Sequence, residues 1–189
     1  MAQKRKDWNG LISGFKASDL MFLDESRCNT DMTRRYAYSL GGSRAVDSAP
    51  LSKPKNTTIL SSIQLDGTLR YTTFSGGTTV ERFKRYLETD LLPHLNGNSV
   101  LIMDNMKSHH AKAVKNLLDS SEIRYIYLPP YSPDLNPIEK LWSKVKSFLR
   151  KFKARTLDAL PNAIQCVFQT VSPSDCSGWF HSCGYPPYF

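Results

Sequence analysis

Apolar residues recur along this chain in two rhythms, and each change of rhythm marks a change of element. Three short runs, LMFLDES from Leu20, SVLIMDN from Ser99 and IRYIYLP from Ile123, are almost continuously apolar. Such runs predict strands covered on both faces of a sheet. Two further β-rich runs, TTILSSIQL and TLRYTTF, flank Asp66-Gly67, a pair suited to a tight turn, and so predict a hairpin. Elsewhere the spacing is helical. Val80, Phe83, Leu87 and Leu91 predict one amphipathic helix with Thr78 or Thr79 as its cap, and Ala111, Val114, Leu117 and Leu118 predict another. Ile138, Leu141, Trp142, Val145, Phe148, Leu149 and Phe152 form the stripe of a third, from Pro137 to about Lys151. A fourth is expected from Leu157 to Val171, irregular at its start because Pro161 lies about one turn in.

Residues 41–56, GGSRAVDSAPLSKPKN, read as a loop, and residues 1–19 show no clear period. The ending, SPSDCSGWFHSCGYPPYF, carries Trp179, Phe180 and Tyr185 and is expected to pack back on the domain. Strands with a hairpin come first, followed by helix, strand, helix, strand, helix, helix. That order predicts an α/β protein with a mixed sheet flanked by helices.

Composition narrows the setting. At 189 residues the chain fits one ordinary domain, and its 40% hydrophobic and 22% charged residues are those of a globular protein. No apolar run reaches the roughly 18 residues of a membrane span. MAQKRKDWNG is basic but leads into no apolar segment, so it does not read as a secretory signal, and a cytoplasmic protein without membrane contact is expected. Cys28, Cys166, Cys176 and Cys183 are scattered without a CxxC pair, a pattern that indicates neither zinc nor disulfides. A net charge of +8 and a pI near 9.4 point to a polyanionic partner, although solubility alone accounts for the same number.

The candidate chemistry is acidic. Asp24 and Asp104 each stand at the end of an apolar run, and ligands of open α/β sheets gather beyond the carboxyl ends of strands. If those strands are parallel neighbours, the two acids converge. Alternation sends Asp24 and Glu25 to opposite faces of their strand. A third acid, Glu139, follows the stiff loop LPPYSPDLNP, in which Pro129, Pro130, Pro133 and Pro137 restrict the backbone. Two roles fit Glu139. Asn136, Pro137 and Glu139 have the spacing of a helix cap, and the same carboxylate can join the two aspartates.

Three carboxylates suit hard cations such as Mg²⁺. Two such ions roughly 3.5–4 Å apart activate one oxygen and stabilise another in displacement at phosphorus. Glu139, Ser143, Lys146 and Arg150 share one flank of their helix, so Lys146 and Arg150 either contact DNA phosphates or form an ordinary solvated face. His109, after Asp104, suits a phosphate contact, the orientation of a metal-bound water, or a cap. Tyr131 and Trp142 read as packing residues in preference to base-stacking ones, and Asn105 as a turn former.

FLDES at 22–26, IMDN at 102–105 with His109 after it, and YLPPYSPDLNPIEKLW at 127–142 together resemble the catalytic domain of DDE transposases of the mariner-like superfamily, especially bacterial insertion-sequence members. DMTRRYAYS and GWFHSCGY extend the resemblance over nearly all of the chain. It implies a ribonuclease H-like fold, with Asp24, Asp104 and Glu139 as catalytic acids binding two Mg²⁺ or Mn²⁺ ions. Thirty-four residues between Asp104 and Glu139 suit the family's spacing.

The implied activity is metal-dependent cleavage at transposon ends, followed by attack of the freed 3′-hydroxyl on target DNA. It would be carried out by a homodimer assembled on DNA, in a bacterial cytoplasm and associated with the nucleoid. Family members usually carry helix-turn-helix domains ahead of the catalytic one. Residues 1–19 are therefore read as the remnant of a linker to a missing DNA-reading domain, either encoded in a separate or frameshifted frame or lost from a truncated copy, and residues 20–189 as the endonuclease domain. The competing readings are a non-catalytic DNA-binding remnant of a truncated or domesticated element, and a cellular ribonuclease H or junction resolvase.

Overall fold

The computed structural model describes residues 2–34, 36–50 and 53–185. Met1, Arg35, Leu51, Ser52 and residues 186–189 lie outside the described residues. They include parts of the expected 41–56 loop and of the C-terminal stretch expected to pack back.

Five strands form one mixed sheet: β1 (Leu20–Asn29), β2 (Asn56–Gln64), β3 (Leu69–Ser75), β4 (Val100–Met103) and β5 (Arg124–Tyr127), in the spatial order β3-β2-β1-β4-β5. The first three are antiparallel neighbours, whereas β1, β4 and β5 run parallel. Among the described residues six α-helices flank the sheet: α1 (Ala2–Ile12), α2 (Val80–Tyr86), α3 (Lys112–Ser120), α4 (Ile138–Phe152), α5 (Ala159–Gln169) and α6 (Pro173–Ser182). No helix among the described residues is long and apolar enough to cross a membrane.

The continuous apolar runs are double-sided because each strand feeds two cores. Leu20, Phe22, Val100 and Ile102 pack with Ile138, Leu141, Trp142 and Val145 of α4 on one face. Met21, Leu23, Leu101 and Met103 pack with Phe83 and Tyr86 of α2 and Val114 and Leu118 of α3 on the other. Helix α2 begins at the expected cap, where Thr79 accepts from the Arg82 amide, and continues into a wider π turn, Leu87–Leu91. The β2-β3 turn holds Gly67 at φ +90°, a left-handed conformation. A Cβ there would meet the Pro173 backbone at 3.0 Å, so both conformation and space require glycine.

Two helices lie where periodicity did not show them. Residues 1–19 contain α1, which is mostly polar and is anchored chiefly by Trp8, buried in the main core with its Nε1 donating to the Tyr185 hydroxyl at 3.2 Å, while Ile12 packs partly buried against the same core. Two apolar anchors in a mostly polar helix produce no readable period. Helix α6 turns the C-terminal segment back on the sheet through Cys176 and Phe180. Its signal was present as a capping box, in which Ser172 accepts from the Asp175 amide and Asp175 accepts from the Ser172 amide, with Pro173 at the first turn.

Candidate active site

Two strand ends and one helix start build the site. Strands β1 and β4 are paired up to Leu23 and Met103, and continuing that register by one residue sets Asp24 beside Asp104. The chain turns sharply after β4, where the Met106 amide donates to Asp104 Oδ1 at 2.9 Å. The Asn105 side-chain amide donates to the Leu128 carbonyl and ties this turn to the proline loop. From there the loop is pinned by both ends of the chain: Arg5 of α1 pairs with Asp134, and the Tyr185 hydroxyl donates to the Leu135 carbonyl at 2.7 Å.

The loop delivers Glu139 into the first turn of α4, but the expected cap does not form. Pro133–Leu135 is a 3-10 turn, and the Asn136 amide is already spent on the Pro133 carbonyl at 3.1 Å, so Glu139 has no amide to reach back to. Asn136 Oδ1 is buried without a partner among the described residues rather than accepting from the helix. The Glu139 carboxylate, half-buried and without a hydrogen-bonding partner among the described residues, faces a cavity of about 580 Å³. Asp24, Glu25, Asp104, Asn105 and Asn136 line the same cavity.

Each aspartate has its own support. Asp24, buried on the α4 face, accepts from Trp142 Nε1 at 3.0 Å and from the Glu25 amide at 2.7 Å. Burial pushes its carboxyl up to about 7; the two hydrogen bonds oppose the shift, and repulsion from Asp104 and Glu25 adds to it. Asp104 is more open. Burial would raise its pKa too, but His109, the Met106 amide and the charge of the neighbouring histidines outweigh burial and hold it below the usual carboxylate range.

Glu25, on the opposite face of β1, is the site residue that sequence reasoning left without a role. His109 is wholly buried, with Nε2 at 3.2 Å from Glu25 Oε1 and Nδ1 at 2.9 Å from Asp104 Oδ1, and its ring stacks on Phe83 with centroids 4.2 Å apart. Burial alone would discharge the imidazole, but the two carboxylates overcome it and raise the ring's pKa to about 10. Wholly buried, with both nitrogens engaged, this ring presents no surface to a phosphate. The strand alternation that separates Asp24 from Glu25 was the available signal, since it aims Glu25 at whatever follows β4 on that face.

Lys146 and Arg150 lie farther along α4, about 10 and 16 Å beyond Glu139 at 1.5 Å per residue. They border a second groove of about 780 Å³ together with Arg27 and Arg34. None of these four cations is in an ion pair among the described residues. Arg155 donates to the Thr30 and Met32 carbonyls and so fixes the groove's far wall.

Trp142 both packs and donates, which makes it separable by substitution. Trp142→Phe keeps an aromatic ring and removes the N–H, so the Asp24 carboxyl is expected to titrate still higher than about 7. Stability should fall by roughly 1–2 kcal/mol. The carboxyl carbon shift of Asp24 followed against pH, with a denaturation midpoint, reads both.

Comparison with known proteins places this geometry. Residues 19–161 match the family described as DDE superfamily endonuclease. A stretch of 75 residues, 40% of this chain, is 32% identical to the transposable element Tcb2 transposase of Caenorhabditis briggsae and covers 28% of that protein. Another of 97 residues, 49% of this chain, is 26% identical to the transposable element Tc1 transposase of Caenorhabditis elegans and covers 36% of it. The matched stretches thus span about a third of these relatives. Among solved structures, the pre-cleavage Mos1 transpososome superposes with a TM-score of 0.82 at 17% identity, over 97% of this chain and 59% of that one. The catalytic domain of Mos1 mariner transposase gives 0.72 at 16% identity, over 96% and 86%. At such identities the likeness is one of fold, and that fold is the expected ribonuclease H-like sheet with flanking helices.

Proposed function

This chain belongs to the DDE superfamily endonucleases, and on that premise we propose that it is the catalytic domain of a transposase, cutting DNA at the ends of a mobile element and joining them to target DNA. The observation that carries this reading is the convergence of Asp24, Asp104 and Glu139, from two strand ends and a helix start, on one open cavity. In the proposed reaction water attacks a phosphodiester and the bond from phosphorus to the 3′ oxygen breaks; the freed 3′-hydroxyl then attacks a target phosphodiester, joining to its phosphorus and displacing the target strand's own 3′ oxygen as a hydroxyl. No covalent protein intermediate is formed.

The donor chemistry fits a hard divalent cation. Asp24, Asp104 and Glu139 offer only carboxylate oxygens, while the nitrogens of His109 are engaged elsewhere. These three acids are the residues that would hold two Mg²⁺ or Mn²⁺ ions. Among the described residues no three ligating side chains are already gathered around one point. Asp24 leans on Trp142 and Asp104 on His109, and like-charged carboxylates do not close on one another unaided. Bound there, divalent cations supply Lewis-acid activation of the attacking oxygen and neutralise charge on the leaving one. The chain's own contribution is orientation: Trp142 holds the Asp24 carboxylate, and His109, braced by Glu25, holds that of Asp104.

The DNA track continues along α4 to Lys146 and Arg150, with Arg27 and Arg34 across the groove. His109 is better assigned as a positioning residue than as a DNA contact. The relatives' names as transposases, and Mos1 structures described as a paired-end complex with the left transposon end and as a strand transfer complex, support transposon-end DNA as a partner; target DNA as a second partner and a homodimer as the working form belong to the proposal. The assignment to a bacterial insertion sequence rests on motif wording alone; the two curated relatives are nematode elements. A separately encoded helix-turn-helix half, the derivation of residues 1–19 from its linker, and residues 20–189 as the endonuclease unit remain part of the proposal. Helix α1 nonetheless packs into the main core through Trp8.

The test uses the purified chain, with and without a co-expressed N-terminal half, on supercoiled plasmid. Nicking in Mn²⁺ that a chelator stops is expected, as is joining of a recessed 3′-hydroxyl oligonucleotide to the plasmid. Binding measured in chelator should weaken with salt, with a logarithmic slope of roughly −0.9 per phosphate contacted, reduced in Lys146→Ala/Arg150→Ala. Binding without nicking favours the non-catalytic remnant. Cutting only the RNA of an RNA·DNA hybrid favours a ribonuclease H.

A further inference from the structure

Helix α1 is the element whose place in the fold its own sequence does not explain. It is eleven residues long and mostly polar, and it puts only Trp8, with Ile12 in part, into the core. A helix so short is marginal in water by itself, so its contacts hold it in place. Those contacts converge on one target. Arg5 donates to both carboxylate oxygens of Asp134 and, at 3.4 Å, to the Ser132 hydroxyl. Trp8 Nε1 donates to the Tyr185 hydroxyl, which donates in turn to the Leu135 carbonyl at 2.7 Å. Both relays end on the 3-10 turn, Pro133–Leu135, and its N-terminal flank, just ahead of α4.

Backbone hydrogen bonds carry that turn on to the acid. The Leu135 amide donates to the Ser132 carbonyl, the Asn136 amide to that of Pro133 and the Glu139 amide to that of Asn136, each at 3.1 Å. The first turn of α4 has no side-chain cap, so where it sits depends on the turn before it. The Arg5 and Asp134 side chains are 40% and 59% exposed, and exposed pairs add little to stability. The pair is nonetheless bidentate, a geometry that fixes direction as well as distance. A contact that stabilises little and fixes direction suits positioning better than cohesion.

We propose that α1 is a positioning element of the site, in which Arg5 and Trp8, acting through Asp134 and Leu135, hold the first turn of α4 where the Glu139 carboxylate can join Asp24 and Asp104 around a divalent cation. This rests on the endonuclease reading above. Arg5 and Trp8 act at a distance and take no part in proton or phosphoryl transfer. Whatever the origin of residues 1–19, α1 then works as one unit with the three acids.

Trp8 is buried and its loss would damage the fold, so the test is made on the exposed pair, in the full chain. Arg5→Asp, Asp134→Arg and the exchanged pair that combines them are compared with the wild type. Two measurements are independent of activity: the melting temperature in chelator, and Mn²⁺ affinity followed by loss of the free ion's spin-resonance signal. The third is the Mn²⁺ concentration that half-saturates plasmid nicking. Each single reversal is expected to melt within about 2 °C of the wild type in chelator. Each should also bind Mn²⁺ roughly five-fold more weakly and need roughly five-fold more of it to nick, and the exchanged pair should return both to within about two-fold. The exchanged pair has the net charge of the wild type, so its recovery separates positioning from a change in overall charge. Single reversals that bind Mn²⁺ as tightly as the wild type overturn the proposal and leave the endonuclease reading standing. Weakening that the exchanged pair does not relieve overturns it too, as does a larger fall in melting temperature, since α1 then serves only the fold. A wild type that binds no Mn²⁺ removes both readings together.

Discussion

Asp24→Asn is expected to yield a domain more stable than wild type at pH 8 and inert as a nuclease. The native carboxyl titrates near 7, against about 3.9 in an unfolded chain, because burial and two neighbouring carboxylates disfavour its charge. For an acid whose pKa is raised by folding, the stabilising contribution is complete below the unfolded value. It is lost as pH rises through the folded value. Wild-type stability should therefore decline between about pH 4 and 7, by up to about 4 kcal/mol, and stay level above that on this account.

Asparagine cannot ionise, and its oxygen can still accept from Trp142. After the weakened hydrogen bonding is deducted, Asp24→Asn should exceed wild type at pH 8 by roughly 2–3 kcal/mol in chelator. Denaturation at pH 5 and pH 8 reads the difference. Mn²⁺ should stabilise the wild type and leave the variant unmoved. Loss of a carboxylate that would hold the divalent cation should lower nicking by on the order of a thousand-fold.

Asp104→Asn supplies the contrast. Its carboxyl is held below the usual range by its hydrogen bonds and by His109, so that variant should lose nicking and stability together. An Asp24→Asn protein no more stable than wild type at pH 8, or one that nicks at the wild-type rate, would remove Asp24 from the site as described.

His109→Ala carries the largest expected cost to the fold. The ring joins Asp104 to a Glu25 side chain that is only 7% exposed, and its removal strands that carboxylate in the interior. Breaking such a buried pair from one side costs about 3–5 kcal/mol. The sign of the pH dependence follows from the raised value. With a folded pKa of about 10 and an unfolded one near 6.5, the contribution of His109 is complete below about pH 6.5 and disappears as pH rises through about 10.

Asp24 and His109 thus weaken the wild type in adjoining windows, and alkaline solutions are penalised by both. A double substitution, Glu25→Gln with His109→Gln, removes both charges and should recover much of the loss from His109→Ala while flattening the alkaline window. A His109→Ala protein within about 1 kcal/mol of wild type would show that Glu25 finds another partner, and the brace on Asp104 would have to be abandoned.

Much of the architecture was legible because local sequence and burial demand the same thing. The runs ending at Leu23 and Met103 are continuously apolar since each strand has a core on both faces, and the α4 stripe is buried from Ile138 to Leu149. Helix α1 was not legible, because only Trp8 and Ile12 of a mostly polar helix anchor it in the core. Helix α6 was marked by its capping box rather than by any period. The cap expected at Glu139 failed for a reason outside the helix, since the 3-10 turn before it had already used the Asn136 amide. Tyr131 was misplaced because an aromatic residue between prolines reads as packing, whereas its left-handed backbone turns the ring outward.

By itself the sequence determined where strands end in an acid, which helix face is apolar, and that a stiff loop precedes Glu139. These follow from periodicity and from the restricted backbone of proline, which act over a few residues. Only the tertiary structure decided that Asp24 stands beside Asp104, that Trp142 donates to the first, and that Glu25 and His109, 84 residues apart, brace the second. A carboxylate's neighbours depend on strand order and register, which no local pattern contains. Its charge at neutral pH depends on those neighbours and on its depth, so whether an acid at the end of a strand is a turn residue or half of a buried pair is settled in three dimensions.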